Sequence, residues 1–182
     1  MRLRMRALAF ALAAGVAGAC DDDDGTGPGG GVVEMEWTFD ADLEGWESGV
    51  DGAGGWGTVV QLDDNGGVVK LDGVGDPGEP NAWIFQEITL SSTATTLRFR
   101  TSAHNKAGAD AALRVRVEAG GASTTLLDWE VLAGAEGQYL WAERSVSVAA
   151  YAGQTVTLYF EQDDDGEGTH EQRYLDYIRI TS

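Results

Sequence analysis

The chain reads as an all-β protein, an antiparallel sandwich or barrel built from about nine to ten short strands. Three observations point there. Apolar and polar residues alternate strictly in many short stretches: "LRFRT" sets Leu97 and Phe99 against Arg98 and Arg100, and "LRVRV" sets Leu113, Val115 and Val117 against Arg114 and Arg116. A period of two is the pattern of a sheet with one dry face and one wet face. Turn-forming clusters separate these stretches: "DGAGG", "DDNGG", "DGVGDPGEP", "EAGGAS" and "DDDGEG". No segment sustains the 3.6-residue period of a helix.

The elements follow in order. Arg2, Arg4 and Arg6 precede the uncharged apolar run Ala7–Ala19, which is shorter than the roughly 20 residues a spanning helix needs. This is the layout of a cleaved signal peptide, residues 1–19. The run stops at Cys20, the single cysteine, so an internal disulfide is impossible. "VAGAC" resembles the lipobox of bacterial lipoproteins, and the resemblance implies that Cys20 carries a diacyl or triacyl anchor. More than one acyl chain is what stable anchoring requires. Residues 20–32 then form a linker, "CDDDDGTGPGGGV", too acidic and glycine-rich to bury a core. The expectation is a protein of the bacterial cell envelope, lipid-anchored on the periplasmic or the cell-surface side. An ordinary signal peptide followed by a free cysteine is the alternative.

Residues 33–182 are expected to form one domain, long enough for a core without disulfides. The chain carries a net charge of −18. That excludes nucleic acid as a partner, because phosphate binding depends on clustered Lys and Arg. "VVEMEWTF" opens the domain, with Val33, Met35, Trp37 and Phe39 on one face. Strands are expected next at 57–62, 68–71, 82–90, 97–101, 113–117, 126–131 and 140–148. "TVTLYF", with Val156, Leu158 and Phe160 inside, and "RYLDYIRI" complete the set.

Several of these segments, in this order, resemble carbohydrate-binding modules and galactose-binding-like domains of the jelly-roll type. The segments are "FDADLEGW", "NAWIFQEITL", "SVSVAAYAGQTVTLYF" and "YLDYIRI". The resemblance implies a jelly-roll β-sandwich that binds ligand without catalysis, with carbohydrate the leading class. It also implies a structural calcium ion. Strict alternation puts Asp176 on the same face as Ile178 and Ile180, where an unpartnered carboxylate is costly. In the resembling modules an aspartate at this place shares calcium with acidic residues near the first strand. Here those residues are Asp40 and Asp42. The alternative is that Asp176 accepts backbone hydrogen bonds with no metal.

Sugars stack on exposed aromatic rings, and six tryptophans and five tyrosines are available. Trp37 and Trp129 follow core-like alternation. Trp46, Trp56, Trp83, Tyr139 and Trp141 stand near glycine-rich turns and are the expected ligand-binding residues, along a loop edge. Catalysis finds little support. The two histidines, His104 and His170, sit in no zinc spacing, and no serine stands in a nucleophile elbow. A jelly-roll glycoside hydrolase would need paired carboxylates, for which "EMEWTFD" offers only Glu34 and Glu36. The rival of another class is a scaffold lipoprotein that binds an envelope protein and no sugar.

Overall fold

The computed structural model describes residues 31–50, 56–62, 66–73, 78–104, 111–132, 139–163 and 172–182. Cys20 and His170 lie outside these residues, as do the side chains of Trp56 and His104. The described chain is almost wholly strand. In order it forms β1 (Val33–Trp37), β2 (Glu47–Val50), β3 (Trp56–Leu62), β4 (Gly66–Asp72), β5 (Ala82–Thr89) and β6 (Thr96–His104). There follow β7 (Ala112–Ala119), β8 (Ala122–Val131), β9 (Ala142–Ser147), a 3₁₀ turn (Ala149–Tyr151), β10 (Thr155–Asp163) and β11 (Gln172–Thr181). Two antiparallel sheets result. One runs β3-β4-β11-β6-β9, with β1 added against the far half of β11; the other runs β2-β5-β10-β7-β8. The expected alternation therefore builds a sandwich. Only the short strand β2, which has no clear alternation, goes unannounced in the sequence.

The inner faces meet in a core that includes Leu97, Phe99, Val115, Leu158, Phe160 and Ile178, all fully buried. Each such side chain contributes about 1.5–3 kcal/mol by leaving water. Phe99 and Phe160 meet edge to face at 5.1 Å across the two sheets. The open side between β8 and β9 is closed by Arg144, whose Nε donates to both oxygens of Glu130 at 2.9 and 2.7 Å.

Asp176 does not face the core. Along β11, Leu175 pairs with Thr101 and Ile178 with Phe99, so three steps on β11 match two on β6. That extra residue is a β-bulge, and it resets the alternation. Leu175 and Ile178 both point inward, while Asp176 is only half-buried. Its Oδ2 accepts a hydrogen bond from an Arg100 terminal nitrogen at 2.7 Å. The carboxylate that alternation puts in the core is thus an ion pair on the outer face of the six-stranded sheet.

The bulge also sends Arg173 inward, where it is fully buried. Its terminal nitrogens donate to the carbonyls of Ala111 at 3.1 Å and Glu130 at 3.4 Å, and to Thr101 Oγ1 at 3.2 Å. Its Nε has no partner. Burial pushes this guanidinium down to about 9, with Glu130 opposing the shift.

Candidate functional site

The outer face of the five-stranded sheet is where aromatic and charged side chains converge. Ala82, Ile84, Val156, Leu158, Leu113 and Val117 face the core, so their strand neighbours face out. Register aligns these neighbours in three rows. Gly49, Trp83, Glu161 and Arg114 form the first. Glu47, Phe85, Tyr159, Arg116 and Thr125 form the second. Glu87, Thr157, Glu118 and Ser123 form the third.

The first row seats an indole. A Cβ placed on Gly49 would lie 2.3 Å from Cε2, 2.4 Å from Nε1 and 2.5 Å from Cζ2 of Trp83. The Trp83 ring therefore lies over β2 at the one position that has no side chain. In the second row Phe85 and Tyr159 stack with centroids 5.5 Å apart and planes at 19°. The Arg116 guanidinium lies 4.0 Å from the Tyr159 ring centroid.

Glu161 ties the rows together. It is 2% exposed although it faces out of the sandwich. Its Oε2 accepts from Arg114 Nε at 2.7 Å, and its Oε1 accepts from Arg116 Nε at 3.1 Å and Nη2 at 3.0 Å. Arg116 Nη1 reaches Glu118 and donates to Ser123 Oγ at 3.0 Å. Burial opposes the charge on Arg116, but hydrogen bonds to Glu118 and Glu161 outweigh it and hold the guanidinium above its ordinary value. Burial, aided by the Glu118 charge, raises the Tyr159 hydroxyl, which donates to Glu118 at 3.2 Å. Beyond Glu161 the Arg114 guanidinium rests 4.3 Å from the Trp129 ring centroid. Trp129 thus belongs to this outer face and not to the core that its alternation suggests.

A groove of about 300 Å³ opens here, lined by Pro80, Trp83, Arg116, Tyr159 and Glu161. A second recess of about 220 Å³ continues along β10 past Thr157 to Thr155, between Glu87 and Glu118. The wall that carries Pro80 is pinned from below. The Gln162 side chain accepts from Gly73 N–H at 2.9 Å, and Asp163 Oδ2 accepts from Gly78 N–H at 2.8 Å. Flat rings flanked by fixed donors and acceptors suit a polyhydroxylated ligand with apolar faces.

The residues expected to bind ligand are divided among three places. Trp83 lies in the groove. Trp46 is 3% exposed and packs edge-on against Trp37 at 5.5 Å and Phe160 at 5.6 Å, so it is core and not binding surface. The turn before it explains this: Glu44 and Gly45 both have positive φ, and the chain folds Trp46 beneath β1. Tyr139 and Trp141 sit with the other sheet, Tyr139 edge-on to Tyr174 at 5.1 Å and Trp141 beneath Arg100 at 4.9 Å. Trp46, Trp83, Tyr139 and Trp141 therefore do not gather along one edge. Trp56 lies at the start of β3, with its side chain outside the described residues.

The three carboxylates expected to hold calcium each have a protein partner. Asp176 is engaged by Arg100, Asp40 accepts from Thr38 Oγ1 at 3.0 Å, and Asp42 accepts from Glu44 N–H at 2.7 Å. Among the described residues no group of three acidic, histidine or cysteine side chains could hold a metal. Glu44 stabilises the loop instead. Its carboxylate accepts the N–H groups of Thr38 at 3.0 Å and of Phe39 at 3.1 Å, and Phe39 adopts a left-handed φ of 58°.

The groove lies on the sheet face of a β-sandwich whose fold resembles that of carbohydrate-binding modules and an adhesin domain. The solved structures it resembles make this concrete. The family 22 xylan-binding domain from Paenibacillus barcinonensis Xyn10C matches with a TM-score of 0.55 at 15% identity, over 83% of this chain and 94% of that one. A family 61 module bound to β-1,4-galactotriose matches with a TM-score of 0.52 at 12% identity, over 75% of this chain and 88% of that one. The K3 cleaved adhesin domain of Lys-gingipain from Porphyromonas gingivalis matches with a TM-score of 0.56 at 18% identity, over 83% of this chain and all of that one. No protein-family model matches the chain. No curated protein matches it.

Proposed function

We propose that this protein binds a polysaccharide chain, without catalysis, in the groove on the outer face of its five-stranded sheet. The observation that carries the reading is the Trp83 indole lying across Gly49, one row from the stacked pair Phe85–Tyr159. The Trp83 indole and, one row away at about 7 Å along the strands, the Phe85–Tyr159–Arg116 stack suit successive sugars of an extended chain. Solved sandwiches of like fold are described as binding xylan or β-1,4-galactotriose, which supports the ligand class. Both Glu161 oxygens are occupied by arginines, which favours a binding role over acid–base chemistry for this carboxylate.

The protein is further proposed to act from the bacterial envelope, anchored through acylated Cys20. Among the described residues no helix is long and apolar enough to cross a membrane. A Cys20→Ser variant is expected in the soluble fraction; its persistence in membranes would remove the anchor from this account. A glycan array probed with the protein, in the presence and absence of calcium, tests the binding reading. Binding that Trp83→Ala abolishes supports it. A silent array, with capture of an envelope protein that survives Trp83→Ala, supports the scaffold reading in its place.

A further inference from the structure

Arg114 stands beside the groove with its terminal donors unused. Its Nε is fixed by Glu161 at 2.7 Å, and its plane is fixed by Trp129 at 4.3 Å. Neither terminal nitrogen meets an acceptor among the described residues, and the side chain is 21% exposed. Arg116, by contrast, spends all three of its nitrogens on Glu161, Glu118 and Ser123. The outward edge of Arg114 is therefore a planar, charged fork with no partner among the described residues. Such an edge matches a carboxylate in two parallel hydrogen bonds.

The surrounding charges permit this. Glu161 is shared by two arginines, and Glu118 is held by Arg116. Glu87 and Glu118 lie two rows from Arg114, about 14 Å along the strands, beyond the roughly 8 Å screening length of physiological salt. Nearer by, Asp163 accepts from Gly78 N–H and Asp128 accepts from Trp129 N–H. Across the sheet, Arg114 is two strands from Trp83, about 10 Å. A sugar stacked on Trp83 cannot place its own ring on Arg114, but a substituent one sugar long can reach it.

We infer that Arg114 forms a subsite for the carboxylate of a uronic acid branch, carried by the polysaccharide whose main chain lies in the groove. This rests on the glycan-binding reading and names the decoration that the site selects. The test compares a xylan bearing glucuronic acid branches with the same xylan after its carboxyl groups are reduced to alcohols. The full chain is expected to bind the acidic polymer about five- to tenfold more tightly at low salt. That ratio should fall towards one in 0.5 M NaCl and in Arg114→Gln, whatever the absolute affinity of the variant. Equal binding of the two polymers by the unaltered protein would overturn the subsite while leaving the groove reading intact. A preference that survives both high salt and Arg114→Gln would also overturn it. Binding of neither polymer, together with a silent glycan array, would remove the glycan reading beneath it.

Discussion

Replacing Gly49 by alanine should disarm the groove while leaving every aromatic residue in place. The added Cβ would stand 2.3 Å from Cε2 of Trp83, whereas unbonded carbons settle at about 3.5–4.0 Å. The indole must therefore lift or swing by more than about 1 Å. A sugar that covers one indole face hides on the order of 100 Å² of apolar surface, worth about 2.5 kcal/mol. A displaced ring that keeps half of this contact forfeits about 1.2 kcal/mol, or roughly an eightfold loss of affinity. The fold should tolerate the change, because β2 is an edge strand and alanine lowers the entropy cost of ordering the backbone by about 0.5–1 kcal/mol. Calorimetric titration with an oligosaccharide that the protein binds, beside a thermal melt, separates the two effects. Unaltered affinity in Gly49→Ala, with Tm unaltered, would refute the argument that the seated indole is the binding platform.

The other predictions concern stability and titration. Trp46→Ala should cost about 3–5 kcal/mol in denaturant unfolding, because the ring is core, and a cost under 1 kcal/mol would return it to the surface. Arg173→Met should cost about 1–3 kcal/mol, because it leaves the buried Ala111 and Glu130 carbonyls and the Thr101 hydroxyl without their donor; an unchanged or raised stability would contradict this. Tyr159, Tyr174 and Tyr177 are raised above the ordinary tyrosine value, chiefly by burial. Their contribution is fully present below about pH 10 and is lost as pH rises through their folded values, so stability should decline on the alkaline side. Arg173 is shifted down and works the other way in that range, so denaturant unfolding of the Arg173→Met variant as pH rises above about 10 reads the tyrosine contribution most cleanly.

Period-two patterning made the sandwich legible, because each wet strand face is written in a few adjacent residues. The site was less so. Trp83, Tyr159, Glu161 and Arg116 each look like an ordinary wet-face residue of its own strand. Only the register of β5, β10 and β7 makes them neighbours, and register is not written locally. Gly49 carries no sign that it seats a ring. Asp176 was misplaced by alternation because one extra residue on β11 reverses the faces, and nothing in "RYLDYIRI" marks a bulge. Trp46 stands next to a glycine-rich stretch, which suggests a binding loop, yet the left-handed Glu44–Gly45 pair folds it inward. Arg114 and Arg116 were visible as an alternating pair, but their bridge through Glu161 spans distant segments.

Chemical-shift mapping tests the central claim most directly. The isotope-labelled protein is titrated with the tightest-binding oligosaccharide from a glycan array. The account predicts saturable shifts at the Trp83 indole N–H and along β5, β10 and β7 at Phe85, Tyr159, Glu161 and Arg116. Shifts centred on Tyr139, Trp141 and β11 of the opposite sheet, with the Trp83 signal unmoved, would contradict it.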